Sequence, residues 1–311
     1  MSSARSNFLA DALLDRLGHL RKDSAWLESA RARGLYLAVW KRRNLVLAGE
    51  VLAPVFLSRE VVAAHGAGHE AVLLGHRDEL PCFAIALEGD APPPLAGSFE
   101  EIRGIGDRLN PDDAALLAYA RAMVVWHEGH RHCGLCGAPT ASIEAGHARE
   151  CRGCGAKHFP RVDPAIIVLV ADETRCLLGR PASWPAGRYS TIAGFVEPGE
   201  SLEDAVRREI REETGIYAGD LEYHSSQPWP FPSSLMLGFR ARPAGGEIAL
   251  RDGELEDARW VDRDDIVARR ILLPPRVSIA YRLIEDWFDS APGRRLAAET
   301  EPGPWITRPE P

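Results

Sequence analysis

Between Gly194 and Ile216 the chain reads GFVEPGESLEDAVRREIREETGI, and no other stretch constrains its local structure as tightly. Pro198 and Gly199 interrupt regular structure and leave a turn before Ser201. A helix is predicted from there. Ser201 caps it, Asp204 stands three positions on as in a capping box, and Gly215 supplies a left-handed stop. Leu202, Val206 and Ile210 recur every fourth residue and form one buried stripe. Glu209, Glu212 and Glu213, spaced i, i+3 and i+4, share a neighbouring face, where like charges repel. Hard oxygen ligands gathered in this way suit Mg2+ or Mn2+. The same residues also read as a solvated helix of alternating charge, with Arg207, Arg208 and Arg211 pairing with the acids.

Shortly downstream lies Ser226-Gln227-Pro228-Trp229-Pro230-Phe231-Pro232-Ser233-Ser234. Its alternate prolines deny it a helix and remove several amide donors, so a stiff extended segment is expected. Trp229 and Phe231 then offer flat rings on which a planar base can stack, or else merely cover an edge of the core. Cys133, Cys136, Cys151 and Cys154 form two CxxC knuckles separated by fourteen residues. Four thiolates so spaced close a tetrahedral zinc site with no open position, which makes it structural. A pair of disulfides is the alternative, opposed by the size of the chain, the absence of a secretion signal and the isolation of Cys82 and Cys176.

The order Gly194, five residues, Glu200, seven residues, Arg208-Glu209-Ile210, one residue, Glu212-Glu213, one residue, Gly215-Ile216 resembles the signature box of the Nudix hydrolases. SQPWPFPxS beside it resembles the marker of their NADH pyrophosphatase branch, which carries a zinc ribbon just before the catalytic domain. The resemblance implies an α+β protein: a Nudix α/β/α sandwich with a mixed sheet, preceded by the ribbon and a small β-rich N-terminal domain. It implies an NAD(H) diphosphatase that cleaves NADH or NAD+ to nicotinamide mononucleotide and AMP with water activated by Mg2+ or Mn2+.

Carried over residue by residue, Glu209, Glu212 and Glu213 are the catalytic carboxylates, with Glu212 the candidate base. Glu209, Glu213, Glu254 and the Ala193 carbonyl would hold the metal, with Glu256 or Asp257 as alternatives to Glu254. Gln227, Pro228, Trp229, Pro230, Phe231, Pro232, Ser233 and Ser234 would line the dinucleotide pocket, joined by Arg103 and the Ala280 backbone. Arg103 reads equally as an isolated surface arginine. Two positions depart from the branch: Gly146 stands where some relatives carry a glutamate, and Phe159 where they carry tyrosine. The branch is commonly homodimeric. Other readings are removal of NAD caps from RNA by the same pocket, a different Nudix substrate such as ADP-ribose, and a non-catalytic nucleotide-sensing regulator.

A net charge of -8 argues against indiscriminate nucleic-acid binding, without excluding a capped RNA end. The longest apolar run, Ala165 to Ala171, is too short for a bilayer, and Asp11 and Asp15 interrupt the leading leucines. A cytoplasmic protein is expected, with an organellar transit segment the alternative left open by Arg5, Arg16 and Arg21. With 311 residues the chain should divide into an N-terminal β-rich domain (1–126) ending in a helix, the ribbon (127–160), the Nudix domain (161–290) and a proline-rich mobile tail (291–311). Residues 1–23 read as a helical or loose leader. Leu35–Trp40, Leu45–Ala48, Glu70–Leu74 and Cys82–Leu87 read as a small antiparallel sheet, and Asn110-Pro111 opens a helix to about Trp126. Ala165–Val170, Cys176–Gly179, Leu235–Arg240, Glu247–Leu250 and Arg259–Asp262 read as catalytic strands, and Ser278–Phe288 as a helix. No internal repeat is visible.

Overall fold

The structure, a computed structural model, describes residues 7–10, 14–65, 70–251 and 253–300. Arg5, Asp11 and residues 301–311 of the expected tail lie outside them. The described chain divides into two units: Leu9–Val162 with Pro230–Ser233, and Asn7–Phe8 with Asp163–Trp229 and the residues from Ser234 onward.

In the first unit, α1 (Ser24–Arg33) starts at Asp23, whose carboxylate accepts from the Trp26 amide. There follow β1 (Leu35–Trp40), β2 (Arg43–Leu47), β3 (Ala53–Pro54), β4 (Phe56–Leu57), α2 (Arg59–Ala64), β5 (Val72–Arg77), β6 (Leu80–Leu87), β7 (Ser98–Glu100), α3 (Ile102–Ile105) and α4 (Pro111–Gly129). The sheet is mixed rather than antiparallel: β1 runs parallel to β6 from Leu35↔Cys82 to Trp40↔Leu87, although β1–β2 and β5–β6 are hairpins. A parallel pair needs a long crossover, and the chain through β4, α2 and β5 supplies it. α4 opens with Asn110 capping and Pro111 at its first turn, then packs on β1, β5 and β6.

The ribbon strands β8 (Thr140–Ile143), β9 (Ala148–Cys151) and β10 (Lys157–His158) belong to this same unit. Arg149, 2% exposed, donates to His127 Nδ1 (2.7 Å), Thr140 Oγ1 (2.8 Å) and Thr140 O (3.1 Å), and pairs with Glu70 at 3.1 Å. An arginine cannot accept, so His127 Nδ1 does. The ring is then neutral with its proton on Nε2, which meets the Gly146 carbonyl at 2.8 Å.

In the second unit, β11 (Asp163–Ala171), β12 (Arg175–Arg180), β13 (Ile192–Phe195), α5 (Leu202–Thr214), β14 (Tyr217–Trp229), β15 (Ser234–Gly245), β16 (Asp257–Asp262), α6 (Arg263–Val267), α7 (Ile279–Phe288) and α8 (Leu296–Glu299) follow in order. β11 is covered on both faces, which explains its unbroken apolar run. Ile166, Val168 and Val170 join the core with Val206 and Ile210 of α5, while Ile167 and Leu169 join that with Leu283, Ile284 and Phe288 of α7. This is the expected α/β/α sandwich.

Four expectations change here. Glu247–Leu250 is not a strand; the Ala249 amide donates to Thr214 O, so the segment closes the C-terminus of α5. β14 begins nine residues before Ser226, hidden in the sequence because Asp220, Glu222 and Tyr223 are polar or exposed on an edge strand. Residues 291–300 are packed rather than loose: Leu296 is fully buried, and Arg294 pairs with Asp264 (3.1 Å) and Glu299 (2.9 Å). Nor is the leader loose throughout, since Leu9 and Leu17 are buried.

The two sheets also repeat one topology. Strand order β5-β6-β1-β2-β7 corresponds to β14-β15-β11-β12-β16, with β4 beside β1 as β13 is beside β11. Both have a parallel central pair, β1/β6 and β11/β15. A repeat therefore exists, at the level of the backbone. α2 occupies the place of α5, but its six residues, REVVAA, carry one acid and no carboxylate row.

His147 donates from Nε2 to Leu73 O (2.7 Å), and burial lowers its pKa to about 4. The unfolded chain takes up this proton near 6.5 while the folded one resists until about 4, so stability falls as pH drops through that window. His147→Gln keeps a donor without the titration. Urea midpoints measured from about pH 7 to pH 4.5 should fall less steeply in the variant than in the wild type.

Candidate active site and zinc ribbon

The turn and helix of the box form as their sequence dictates. Ser201 Oγ accepts from the Asp204 amide, the Asp204 carboxylate accepts from the Ser201 amide, and Gly215 ends α5 at φ 74°. Arg208 then binds the turn to the helix. Its Nε and Nη2 meet the two Glu200 oxygens at 2.6 and 2.9 Å, and Nη2 also donates to Phe195 O at 2.9 Å. Nη1 reaches Glu209 Oε1 at 2.8 Å and Glu212 Oε2 at 3.2 Å. This bidentate pairing holds the Glu200 carboxyl down at about 2. The alternating-charge reading is thus half right: Arg208 is paired, within an ordered network rather than on a free solvated face.

Glu209 lies against β13. A Cβ built at Gly194 would come within 1.9 Å of Glu209 Oε1, so the carboxylate occupies the space that only glycine leaves open. Ala193 is the adjoining residue, paired with Ile167 of β11. Glu213 sits one turn along α5 and is 4% exposed; Glu209 is 9% exposed. Burial raises the Glu209 pKa, opposed by Arg208 and reinforced by the charges of Glu212 and Glu254. The charge of Glu254 thus bears on Glu209, whereas the acids that follow it are engaged elsewhere. Glu256 pairs with Arg180, and Asp257 accepts from Tyr189 Oη and pairs with Arg259. Glu209 and Glu213 are thus two buried carboxylates on one helix, and the charges of Glu212 and Glu254 add to the repulsion on Glu209, which a divalent cation would relieve.

The proline-aromatic segment is brought together only in part. Ser226 to Trp229 ends β14 and Ser234 opens β15, with Trp229 opposite Ser234 across the hairpin. Pro228 is exposed, while Trp229, Ser233 and Ser234 are half-buried. Pro230–Ser233 form the turn and count with the other unit. There Phe231 is buried, with the Arg121 guanidinium 4.8 Å and that of Arg103 5.4 Å from its ring centre. Phe231 thus stacks on two arginines, and Arg103 is a loop-facing cation rather than an isolated surface one. Gln227, fully buried, donates to Phe8 O and Val277 O (both 2.7 Å) and accepts from the Ile279 amide (2.8 Å). Both ends of its amide are thus bonded to backbone. Ala280 is buried in α7.

Arg121 was not singled out from the sequence. Fully buried in α4, it donates to Arg42 O at 3.0 Å and to Pro230 O, and so holds the turn. Its signal was a lone cation within the apolar run ALLAYARAMVVW. Gly146 also gains a reason: at φ 93° a Cβ there would meet Val72 at 2.8 Å, leaving no room for a side chain.

In the ribbon the four cysteine sulfurs lie within 4.8 Å of one another, the only such metal-ligating group among the described residues. Amides of Gly153 and Cys154 point at Cys151 Sγ (3.3 and 3.4 Å). These donors favour the Cys151 thiolate, the form that zinc binds. Phe159 is 62% exposed.

Comparison with known proteins agrees with this geometry. Residues 160–287 match the NUDIX domain, 129–159 the NADH pyrophosphatase zinc ribbon domain, and 33–126 the NADH pyrophosphatase-like rudimentary NUDIX domain. The chain belongs to the Nudix hydrolases, in their NADH pyrophosphatase branch. An NAD-capped RNA hydrolase NudC of Stutzerimonas stutzeri is 44% identical over 71% of this chain and 78% of its own. A protein of the same name from Mycobacterium bovis is 38% identical over 88% of this chain and 92% of its own. The match over 33–126 accounts for the repeated sheet. No helix among the described residues is long and apolar enough to cross a membrane.

Two outcomes are expected. Cys133→Ser should release the zinc, read as metal content per chain, and lower the unfolding temperature, because metal binding here is folding free energy. Glu209→Gln should raise the unfolding temperature in buffer without added Mg2+ or Mn2+, because it removes a desolvated, repelled charge, while turnover falls by about 10²-fold or more.

Proposed function

We propose that this chain hydrolyses the pyrophosphate bond of NADH and NAD+ to nicotinamide mononucleotide and AMP, and the same bond in RNA that begins with NAD. The observation that carries this reading is the Glu209 carboxylate seated in the notch left by Gly194 and gripped by Arg208, beside the buried Glu213. The names of the relatives support the RNA substrate.

Glu209, Glu213, Glu254 and the Ala193 carbonyl would hold Mg2+ or Mn2+. Bound there, such ions supply charge neutralisation on the diphosphate and a more acidic water. The rest of the chemistry falls to the chain. Arg208 fixes the Glu209 and Glu212 carboxylates before substrate arrives, so no reorganisation is needed as charge develops. Glu212, exposed on the same helix, would take the proton of the attacking water. Water oxygen bonds to one phosphorus, the bridging P–O bond breaks, and the departing phosphate oxygen ends as the second monophosphate. Trp229 offers a half-buried ring to a base, and Phe231, fixed between arginines, shapes the turn beside it. The free thiols of Cys82 and Cys176 suit a reducing compartment such as the cytoplasm, and the branch suggests a homodimer.

Product analysis on NADH, NAD+, ADP-ribose and NAD-initiated RNA, each with Mg2+ and with Mn2+, tests the substrate. Nicotinamide mononucleotide should appear from NADH, NAD+ and the RNA. Glu213→Gln should lower kcat by about 10²–10³-fold with the fold intact, and near-normal turnover would remove Glu213 from the metal site.

A further inference from the structure

We propose that Arg207, Arg211 and Arg251, with Tyr217, form a subsite for the phosphodiester chain of single-stranded RNA continuing from the NAD end. This rests on the hydrolase reading above and extends it to the body of the transcript. A hollow of about 730 Å3 lies against the outer flank of α5, lined by Arg207, Arg208, Arg211, Glu212, Tyr217, Ala218 and Arg251. Glu212 is matched with Arg208, so its charge is already answered within the lining. Arg207, Arg211 and Arg251 form no ion pair among the described residues, and all three are exposed.

That surplus stands out in this chain. It carries 45 acidic residues against 37 lysines and arginines, so an unanswered basic hollow runs against the composition of its surface. Free dinucleotide does not explain it, because its two phosphates are the groups assigned to the carboxylate-bound metal. Arg207 and Arg211 are i, i+4 on α5, which sets their stems roughly 5–6 Å apart, a ladder that can follow a phosphate chain. Tyr217, 52% exposed at the start of β14, adds a ring on which an unpaired base can stack. The row also shares its helix with Glu209 and Glu213, which ties the hollow to the reacting diphosphate by a rigid element.

The test uses the full chain and a 5'-monophosphorylated single-stranded RNA of about ten nucleotides, followed by fluorescence anisotropy without added Mg2+ or Mn2+. The triple variant Arg207→Gln, Arg211→Gln, Arg251→Gln should weaken binding about tenfold near physiological salt. The slope of log affinity against log salt should become shallower by about 2, at ~0.7 for each phosphate that the variant no longer neutralises. KM for NAD-initiated RNA should rise in parallel while kcat and KM for free NADH stay as in the wild type. The corresponding triple lysine variant should restore most of the binding. Unchanged RNA affinity and salt slope in the glutamine variant would overturn the subsite, as would a folded lysine variant that binds no better than the glutamine one. Should the wild type cleave neither NADH nor capped RNA, the hydrolase reading fails instead, and anisotropy still decides the subsite.

Discussion

One guanidinium organises the catalytic unit. Arg208 binds both oxygens of Glu200 and the Phe195 carbonyl on the turn side, and Glu209 and Glu212 on the helix side. Without it the turn Val196–Ser201 and α5 would be joined by side chains only at the Ser201–Asp204 capping box, and Glu200, Glu209 and Glu212 would lose the guanidinium they share. The carboxylate geometry of this unit therefore rests on a charge-assisted network already formed in the folded chain. The second requirement is steric. Glu209 reaches its position because residue 194 has no side chain, so the glycine and the glutamate are one device held 15 residues apart in sequence.

The repeated sheet shows what the scaffold does and does not supply. Both copies place a helix between the strands equivalent to β13 and β14, and both have a parallel central pair. Only the copy with α5 carries the acids; α2 is six residues long and presents Arg59, Glu60 and small apolar side chains. Topology alone thus carries no chemistry here, in line with the general separation of fold from site. In the first copy the polar investment went into structure: Arg149, His127 and Glu70 form a network that secures the ribbon strand β9 within its unit.

Buried polar side chains also show what the residues singled out by family resemblance do within the fold. Gln227 is conspicuous in the SQPWPFPSS segment, yet all its amide contacts are to backbone of Phe8, Val277 and Ile279. Phe231 likewise packs between Arg121 and Arg103. The influence of both runs through the shape they impose on the turn. Burying an arginine is costly unless its donors are met, and Arg121 meets them on Arg42 O and Pro230 O.

The sequence alone determined whatever depends on neighbours within a few residues. The cap at Ser201, the stop at Gly215, the cysteine knuckles, the doubly buried β11 and the amphipathic α7 were all legible, because their signals repeat at helix, strand or ligand spacing. The tertiary structure decided whatever depends on partners distant in the chain. It made the β1/β6 pairing parallel, repeated the sheet, seated Glu209 against Gly194, and buried Arg121 under a turn more than a hundred residues away. These outcomes turn on which side chains fill the same space, and only the folded chain brings those side chains together.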